Sequence, residues 1–242
     1  MKPNLEPAYT AVGSAKPSQR TARHHPAGLD LSNLSGPARV RSFARGTTLF
    51  CDGERCRTLY QLLSGAVKLY KISFDGRIQI ANFAYAGDIV GLQNDGTHRL
   101  SAEAASRVDA LSFNRAALDR SAGQDSALAL QLWHLGLAEI DRAHEQLVIL
   151  GKRSTMERFA WFLLDLDERL PQTARERGAL IIPMSRRDMA NYLGLSMETV
   201  CRCFTRLRTL GLIETPKYNR VRLLDRALLR DISNEGCLAN RD

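Results

Sequence analysis

The chain has little of what membrane, secreted and zinc-binding proteins need. Within its 242 residues no apolar run approaches the roughly 18 residues that a membrane span requires, and the N-terminus has no apolar stretch typical of a secretory signal. The five cysteines form no CxxC pair and no Cys/His cluster with zinc spacing, and their odd number argues against a disulfide framework. We therefore expect a cytoplasmic protein without a bound metal.

Catalytic signatures are also absent. The sequence contains no Walker loop, GxSxG or HExxH, and its five histidines do not pair with nucleophiles or carboxylates in a recognisable arrangement. An enzyme is therefore not expected. The hydrophobic content of 44% and charged content of 25% are those of an ordinary soluble protein, long enough for two modest domains.

The positive charge, in contrast, is concentrated near the C-terminus. The net charge is +8, and residues 172–222 hold ten Lys and Arg against four Asp and Glu. A basic excess confined to one small region suits a surface that follows nucleic-acid phosphates, although a solvated basic face would have the same composition.

Changes in sequence texture divide the N-terminal half. Residues 1–28 are rich in Pro, Ser, Ala and charge and have few large apolar residues, which predicts a disordered tail. Residues 29–122 contain short segments that alternate apolar and polar positions, with punctuating glycines and repeated Asp-Gly turns. Several short strands at regular spacing predict an antiparallel barrel or sandwich.

Residues 123–152 then show the spacing of a dimerisation helix. Leu128, Leu132 and Leu135 form one apolar stripe, suited to packing against the β domain. A second row repeats at intervals of three and four, as in the seam of a short coiled coil. It consists of Leu130, Trp133, Leu137, Ile140, His144 and Leu147. Two apolar faces indicate a homodimer, whereas one broad core-facing stripe would indicate a monomer.

Residues 153–235 have the pattern of a winged helix-turn-helix, and 236–242 are predicted to be a mobile tail. Helical periodicity at 156–170 ends at Pro171, and a polar linker, QTARERG, follows. The hairpin pattern LIE…RVRLL around a TPKYN turn then predicts the wing. An ordinary helical subdomain with a solvated face is the alternative.

The helix-turn-helix is indicated by its caps. Ser185 and Asp188 have capping-box spacing at the start of a first helix, which Gly194 can end in a left-handed turn. Ser196 can cap a second helix, so that about three residues separate the two helices, as the motif requires. The motif places this second helix in the major groove of double-stranded DNA.

A helical projection of the second helix separates two faces. The apolar face contains Val200, Cys203, Phe204 and Leu207. The opposite face carries the candidate base readers Glu198, Cys201 and Arg202. Arg202 can donate twice to a guanine, and Glu198 can accept from a cytosine or adenine amino group or hold Arg202 at i+4.

A further set of side chains is predicted to contact DNA phosphates. Its members lie at helix N-termini, whose backbone amides attract anions, or on the flanks of the predicted reading surface. They are Ser185, Arg186, Arg187, Ser196, Thr199, Thr205, Arg206, Arg208 and Lys217.

From about residue 30 to 232 the sequence resembles the CRP/FNR superfamily of bacterial transcription regulators, within which the FNR/FixK branch looks nearest. The glycine-punctuated β segment, GKRSTMERFAWFLL and MSRRDMANYLGLSMETVCRCFTRLRTLGLI carry the resemblance. It implies an α+β fold with an N-terminal antiparallel β-roll of the cyclic-nucleotide-binding kind. A long dimerisation helix and a C-terminal winged helix-turn-helix would follow.

The resemblance also implies roles for individual residues. Glu198 and Arg202 match the base-reading Glu and Arg of the family, and Met197 is apolar as in FNR-like members. The resemblance further implies that the protein binds a palindrome with TTG and CAA outer triplets. It also implies that the protein activates genes for low-oxygen metabolism and contacts RNA polymerase. The polymerase contacts would come from loops such as 91–96 and from the surface near 114–125.

The sensory part of the family is poorly matched, so we expect a regulator without a cofactor or bound effector. Cys51 and Cys56 cannot supply four ligands to an iron–sulfur cluster. Leu92 stands where cyclic-nucleotide-binding relatives carry a ribose-binding Glu. His98 is the sole histidine of the β domain and is expected to be solvated rather than a haem ligand. A ligand-gated sensor of the same fold is the alternative.

Cys201 has a second predicted role as a redox switch. It shares a face with Arg202 near a helix N-terminus, surroundings that favour the thiolate form. Oxidation would place bulk and negative charge against DNA phosphates and would prevent binding. The alternative is a small residue that the groove simply tolerates, and Cys203 on the core face should be inert.

Overall fold

A computed structural model describes residues 39–93, 96–152 and 154–235. The predicted tails at 1–28 and 236–242, the latter with Cys237, lie outside the described residues. So do residues 29–38, the first part of the predicted β domain.

Short alternating segments form the predicted N-terminal β-roll. Two four-stranded antiparallel sheets have the orders β1-β8-β3-β6 and β2-β7-β4-β5. The strands are Arg39–Phe43 (β1), Thr48–Phe50 (β2), Thr58–Ser64 (β3), Ala66–Ile72 (β4), Ile78–Tyr85 (β5), Ile89–Val90 (β6), Ser101–Ala104 (β7) and Val108–Asn114 (β8). Inward positions such as Leu62, Val67 and Ala102 are fully or almost fully buried, which is the alternation that one covered face of each sheet requires.

The turn between β3 and β4 depends on a glycine. Gly65 has a φ of +82°, and a Cβ atom there would lie 2.0 Å from the carbonyl oxygen of Arg107. A side chain would therefore clash with the backbone of the neighbouring turn, as well as occupy a region of φ that favours glycine. This close approach holds the end of the β3–β4 hairpin against the start of β8.

Two helices follow the β-roll where the sequence predicted one. The first helix, α1, spans Arg115–Gln124 and is followed by Asp125. The second and longer helix, α2, spans Ser126–Lys152. The Asp125 carboxylate accepts hydrogen bonds from the backbone N–H groups of Ala127 and Leu128 and so starts the second helix. The predicted start at residue 123 falls within α1. Leu128 is buried with Leu59 and Phe113, as the first apolar stripe required.

The C-terminal module is a winged helix-turn-helix. Its helices are Thr155–Arg169 (α3), Arg186–Leu193 (α4), Met197–Thr209 (α5) and Arg226–Glu235 (α6). Its sheet has the order β11-β12-β10-β9. The strands are Arg175–Glu176 (β9), Ala179–Ile181 (β10), Ile213–Lys217 (β11) and Arg220–Leu223 (β12). The predicted wing hairpin is confirmed by β11 and β12.

The interpretation of QTARERG as a simple linker was wrong. It contains a short 3-10 turn at Gln172–Ala174 and the strand β9, which pairs with β10. Arg177 and Gly178 form the connecting turn with φ angles of 49° and 77°. Two successive positive φ values match the twist of a tight antiparallel hairpin, so an Arg-Gly pair performs the turn here. Because β9 has only two residues and both are charged, it has no alternating apolar pattern from which the sequence could predict a strand.

Candidate nucleic-acid interface

The helix-turn-helix has the caps that the sequence predicted. Ser185 Oγ accepts the backbone N–H of Asp188 at 3.0 Å, while Asp188 Oδ2 accepts the N–H of Ser185 at 3.1 Å. Gly194 ends α4 with φ 64° and ψ 41°, and Ser196 Oγ accepts the N–H of Thr199 at 3.1 Å. These bonds satisfy backbone groups that a helix leaves free at its ends, and they define where α4 and α5 begin.

The two faces of α5 are separated as the helical projection predicted. Val200, Cys203, Phe204 and Leu207 are buried in the C-terminal core. Glu198, Cys201, Arg202, Thr205 and Arg206 are all exposed. The exposed face begins at the first turn of the helix, so its side chains can enter a groove ahead of the rest of the domain.

Hydroxyl groups organise the side chains at the N-terminus of α5. The hydroxyl oxygens of Ser196 and Thr199 are 2.9 Å apart, and Arg202 Nη2 donates to Thr199 Oγ1 at 3.1 Å. The expected direct pairing of Glu198 with Arg202 is thus replaced by a bond from Arg202 to Thr199. Hydrogen bonding to its own backbone N–H and to Ser196, with the attraction of Arg202, holds the pKa of Glu198 below its usual value. Glu198 is therefore an ionised acceptor at neutral pH.

Most candidate phosphate contacts lie at the surface. Arg187, Ser196, Thr205, Arg206, Arg208 and Lys217 are exposed, whereas Ser185 and Thr199 are half-buried. The hydroxyls of Ser185, Ser196 and Thr199 already take part in helix capping or in holding Arg202. A contact from them to phosphate would have to share these bonds.

Arg186 is not available to DNA, which corrects the sequence prediction. Only 7% of it is exposed, its guanidinium carbon lies 3.1 Å from the centroid of the Phe204 ring, and its Nη2 donates to the carbonyl oxygen of Tyr218 at 3.2 Å. Burial lowers the pKa of Arg186. The side chain turns inward because it can cover an aromatic face and join α4, α5 and the wing, so it is structural.

Several arginines of the basic segment are neutralised by acids. Arg175 and Arg226 both bind Asp167 at 2.7 Å, while Arg220 binds Glu176 and Arg222 binds Glu214. These pairs join α3, α6 and the small sheet. The sequence count of basic residues therefore overstates the charge that can face phosphates, and the excess is carried mainly by residues of α4, α5 and the wing turn.

The two cysteines of α5 differ in accessibility as predicted. Cys201 is exposed on the polar face, and Cys203 is buried with Val200 and Phe204. Burial raises the pKa of the Cys203 thiol, although Arg202 and Arg158 act in the opposite direction. An oxidant in solution can therefore reach Cys201 more readily than Cys203.

The second apolar row of α2 is uncovered in a single chain. Trp133 is 64% exposed, Leu147 67% and Leu130 56%. The row is completed by the exposed residues Leu137, Ile140 and His144. The first stripe packs on the β-roll, and across residues 39–93, 96–152 and 154–235 no element covers this second row, which stays exposed to water.

Comparison with known proteins identifies the relationship. Residues 157–232 match the family described as "Crp-like helix-turn-helix domain", and residues 40–125 match "Cyclic nucleotide-binding domain". The nitrogen fixation regulation protein FixK of Azorhizobium caulinodans is 40% identical over 193 residues, 79% of this chain and 78% of that protein. The chain belongs to the FixK-like branch of the CRP/FNR superfamily. FixK of Rhizobium meliloti is 32% identical over 224 residues, which cover 93% of this chain and 99% of that protein.

Structural comparison agrees with this assignment. FixK2 from Bradyrhizobium japonicum superposes on this FixK-like chain with a TM-score of 0.77 at 35% identity, covering 81% of this chain and 97% of that one. The β-roll, the long helix and the winged helix-turn-helix thus have the arrangement expected of a CRP/FNR regulator. The chain is a transcription regulator rather than an enzyme, as the absence of catalytic motifs predicted.

The FixK-like chain has a cavity beside its β-roll. The cavity has a volume of about 380 Å³ and lies between the β-roll, α2 and the helix-turn-helix module, with Leu69, Leu92, Arg142, Trp161 and Tyr192 among its lining residues. Leu92 offers no acceptor for a ribose hydroxyl, as the sequence indicated. The sequence did not predict that the cavity would extend to α3 and α4.

His98 is buried, so the expectation of a solvated histidine was wrong. It is 2% exposed and its ring stacks on Phe50, with the centroids 3.7 Å apart and the planes at 10°. Burial lowers its pKa, although Glu54 acts in the opposite direction. The neutral imidazole behaves here as an aromatic core residue. Among the residues that the structure describes, no group of three or more His, Cys, Asp or Glu could hold a metal ion.

Across 39–93, 96–152 and 154–235, no helix combines the length and the apolar character needed to cross a bilayer. Even α2, with 27 residues, interrupts its apolar rows with charged and polar positions.

Proposed function

We propose that this chain is a homodimeric activator that reads a palindrome with TTG and CAA outer triplets and controls genes for low-oxygen metabolism. The observation that carries the proposal is the exposed face of α5, on which Glu198, Cys201 and Arg202 lie together from the first turn onward. The relationship to FixK proteins supports the assignment to a regulator of this type. The cytoplasm is the compartment in which such a protein would meet its DNA.

Base reading is assigned to side-chain chemistry at these positions. Arg202 can donate to O6 and N7 of a guanine, and the ionised Glu198 can accept from a cytosine or adenine amino group. Cys201 lies between them in the sequence and is small enough to allow a base edge to approach. Met197, 44% exposed, brings no hydrogen-bond donor to the same turn.

Phosphate binding is assigned to the side chains around this face. The proposed contacts are Ser185, Arg187, Ser196, Thr199, Thr205, Arg206, Arg208 and Lys217. Each cation that neutralises a phosphate releases counterions, so affinity should fall steeply with salt concentration. Arg186 is left out because it is buried.

The homodimer is proposed to form through α2. Leu130, Trp133, Leu137, Ile140, His144 and Leu147 would meet their counterparts in a second copy. A twofold axis along this helix pairs two recognition helices, and a palindromic operator has the same symmetry. The row is exposed in one chain, and its spacing is that of a coiled-coil seam.

We propose that the protein binds DNA without a small-molecule effector. The cavity beside the β-roll favours a second candidate, a ligand-gated regulator, because about 380 Å³ is enough for a small molecule. Leu92 removes the acceptor that a ribose needs. Charged and aromatic residues of α3 and α4, among them Asp165, Arg169 and Tyr192, line the far side of the cavity. Effector-free binding is therefore the primary proposal.

Oxidation of Cys201 is proposed to switch DNA binding off. Its thiolate would attack one oxygen of hydrogen peroxide, the O–O bond would break and hydroxide would leave. The sulfur is then oxidised by two electrons to sulfenic acid, and the peroxide is reduced. Further oxidation would add negative charge against phosphates. The exposure of Cys201 on the reading face supports this proposal.

Contact with RNA polymerase is proposed from the same relationship. The loop 91–96 and the surface near 114–125 would provide it. Residues 94–95 of this loop lie outside the described residues. The exposed side chains of α1 form much of the second surface, whereas Ala117 and Leu118 of the same helix are buried.

The decisive experiment is a footprint of the purified, reduced protein on DNA carrying the TTG…CAA palindrome, without added ligand. Protection of both half-sites is expected, and replacement of the guanine in one half-site should weaken binding by tenfold or more, about 1.4 kcal/mol. No protection under any salt condition would reject the proposal. Protection only after addition of a cyclic nucleotide or haem would establish the ligand-gated alternative.

A further inference from the structure

The β-roll and the helix-turn-helix module of one chain share an interface that DNA reading does not use. One hydrophobic cluster contains Ile80, Phe83 and Tyr85 of β5 together with residues of α3, α4 and α5. The rings of Phe83 and Tyr192 meet at 5.2 Å with an interplanar angle of 60°. The two modules therefore pack as parts of one core rather than as separate bodies on a flexible joint.

Arg169 at the end of α3 adds polar bonds to this interface. Its Nη2 donates to the carbonyl oxygen of Phe83 at 2.7 Å and to Asp88 Oδ2 at 3.3 Å. Its guanidinium carbon lies 4.6 Å from the centroid of the Tyr85 ring. Gln79 contributes a further bond, from Nε2 to the carbonyl oxygen of Asn191 in α4, at 2.9 Å.

Lys68 adds an ionic contact between the β-roll and the first helix of the helix-turn-helix. Its Nζ is 2.9 Å from Glu103 Oε1 in β7 and 3.3 Å from Asp188 Oδ1 in α4. The three side chains are 13%, 25% and 14% exposed, so water screens the pairs only in part. Asp188 uses its other oxygen to accept the N–H of Ser185 and begin α4. One carboxylate thus joins the β-roll to the first helix of the helix-turn-helix.

We propose that Lys68 is a positioning residue for DNA recognition. By binding Asp188 it holds each helix-turn-helix at a fixed orientation on its own β-roll, and so sets the separation of the two recognition helices in the dimer. The inference rests on the proposed dimeric DNA-binding function. Lys68, a residue that does not contact DNA, would then determine which spacing between half-sites the dimer prefers.

The geometry of the chain gives the reason. The β-roll is fixed to α2 through the Leu128 cluster, and α2 carries the dimer surface. α2 ends at Lys152 and α3 begins at Thr155, so the orientation of the module depends on packing against the β-roll and against Ile149 of α2 rather than on a continuous helix. Without Lys68, two carboxylates remain at the interface without their cation, which is unfavourable for a partly buried site.

Operator spacing provides the first test. Full-length wild type, Lys68→Met and Lys71→Met are compared on the palindrome, on the same palindrome with two base pairs inserted between half-sites, and on an isolated half-site. Lys71 is the matched control because it lies on the same strand and pairs with Asp52 within the β-roll. Lys68→Met should lower the preference for native spacing about fivefold, within the range of coupling between contacting residues. Half-site affinity should stay within about twofold, and Lys71→Met should behave as wild type.

Two results would overturn the proposal. One is an unchanged spacing preference in Lys68→Met. The other is an equal loss of affinity on all three DNAs, because a folding or charge effect would produce that pattern. Failure of the wild-type protein to bind any of the DNAs would count against the proposed function instead.

A second test needs no DNA. Spin labels on the exposed Cys51 of the β-roll and Cys201 of α5 report the orientation of the module, with Cys237 replaced by Ser and labelled chains diluted with unlabelled ones. The wild-type distance distribution should be narrow, Lys68→Met should broaden it, and Lys71→Met should not. A wild-type distribution as broad as that of Lys68→Met would also overturn the proposal.

Discussion

The guanidinium carbon of Arg186 lies 3.1 Å from the centroid of the Phe204 ring, so the first helix of the helix-turn-helix is fastened to the recognition helix by a buried cation. Replacement of Arg186 by Met would keep most of the apolar contact and lose the bond to the Tyr218 carbonyl. We expect the free energy of unfolding to fall by about 1–3 kcal/mol, because a partly buried carbonyl loses its charged donor. Urea denaturation followed by circular dichroism measures this change.

Arg187 is the matched neighbour of Arg186 and should behave in the opposite way. Its side chain is exposed, so Arg187→Met should leave the unfolding free energy within about 0.5 kcal/mol of wild type. The slope of log affinity against log salt should decrease by about 0.9 for each lost phosphate contact. An unchanged salt slope in Arg187→Met would remove this residue from the proposed phosphate surface.

The guanine contact of Arg202 is expected to depend on Thr199. Arg202→Met should lose about 1–3 kcal/mol of discrimination between the palindrome and DNA with the guanine replaced. Thr199→Val removes the hydroxyl that accepts from Arg202 at 3.1 Å, and it should lose a smaller part of the same discrimination. Thr199→Ser should restore it. Competition binding against both DNAs measures the discrimination, and equal losses on both would assign Thr199 to phosphate binding alone.

Local sequence patterns predicted much of this site. Ser185, Asp188, Gly194 and Ser196 act within four residues of their partners, so their caps follow from spacing alone. The polar and apolar faces of α5 are likewise local. These features fix the helix-turn-helix and the exposed position of Arg202 without knowledge of the rest of the chain.

Contacts between distant segments could not be predicted in this way. Arg186 looks like its neighbour Arg187 until the wing carbonyl and Phe204 are placed beside it. The pairing of Lys68 with Asp188 joins residues 120 positions apart. The burial of His98 depends on a stack with Phe50 of β2, which is far from it in the sequence. Each of these depends on tertiary packing, which residue type and spacing do not encode locally.

Dimerisation should depend on the exposed row of α2. Trp133→Glu introduces a charge into a seam that would be buried in the dimer, and we expect the dissociation constant to increase about tenfold or more. Gln131→Glu is the control, since it places the same charge on an exposed position outside the row. Sedimentation equilibrium measures both. If the two variants dimerise equally well, the interface lies elsewhere.

Peroxide sensitivity should follow Cys201 alone. After peroxide treatment, wild-type protein and Cys51→Ser should lose operator binding, whereas Cys201→Ser should retain it, because the added oxygen and charge would be placed against DNA. Cys51 is also exposed but lies in the β-roll, which makes it the appropriate control. Mass spectrometry locates the oxidised residue. If Cys201 is oxidised and operator binding is undiminished, Cys201 is not a redox switch. It is then a small side chain that the groove tolerates.

Asp167 should make stability depend on pH in the acid range. Burial would raise its pKa, but hydrogen bonds and ion pairs with Arg226 and Arg175 outweigh burial and lower it. Because the folded pKa lies below the unfolded value of about 3.9, the stabilisation is complete above that value and is lost as pH falls through the folded pKa. Asp167→Asn should therefore be less stable by about 1–3 kcal/mol at pH 7, and this difference should shrink below about pH 4. Glu168→Gln, at an exposed neighbouring position on the same helix, is the control and should change the free energy of unfolding at pH 7 by less than about 0.5 kcal/mol. A constant deficit in Asp167→Asn down to pH 2 would contradict the assignment.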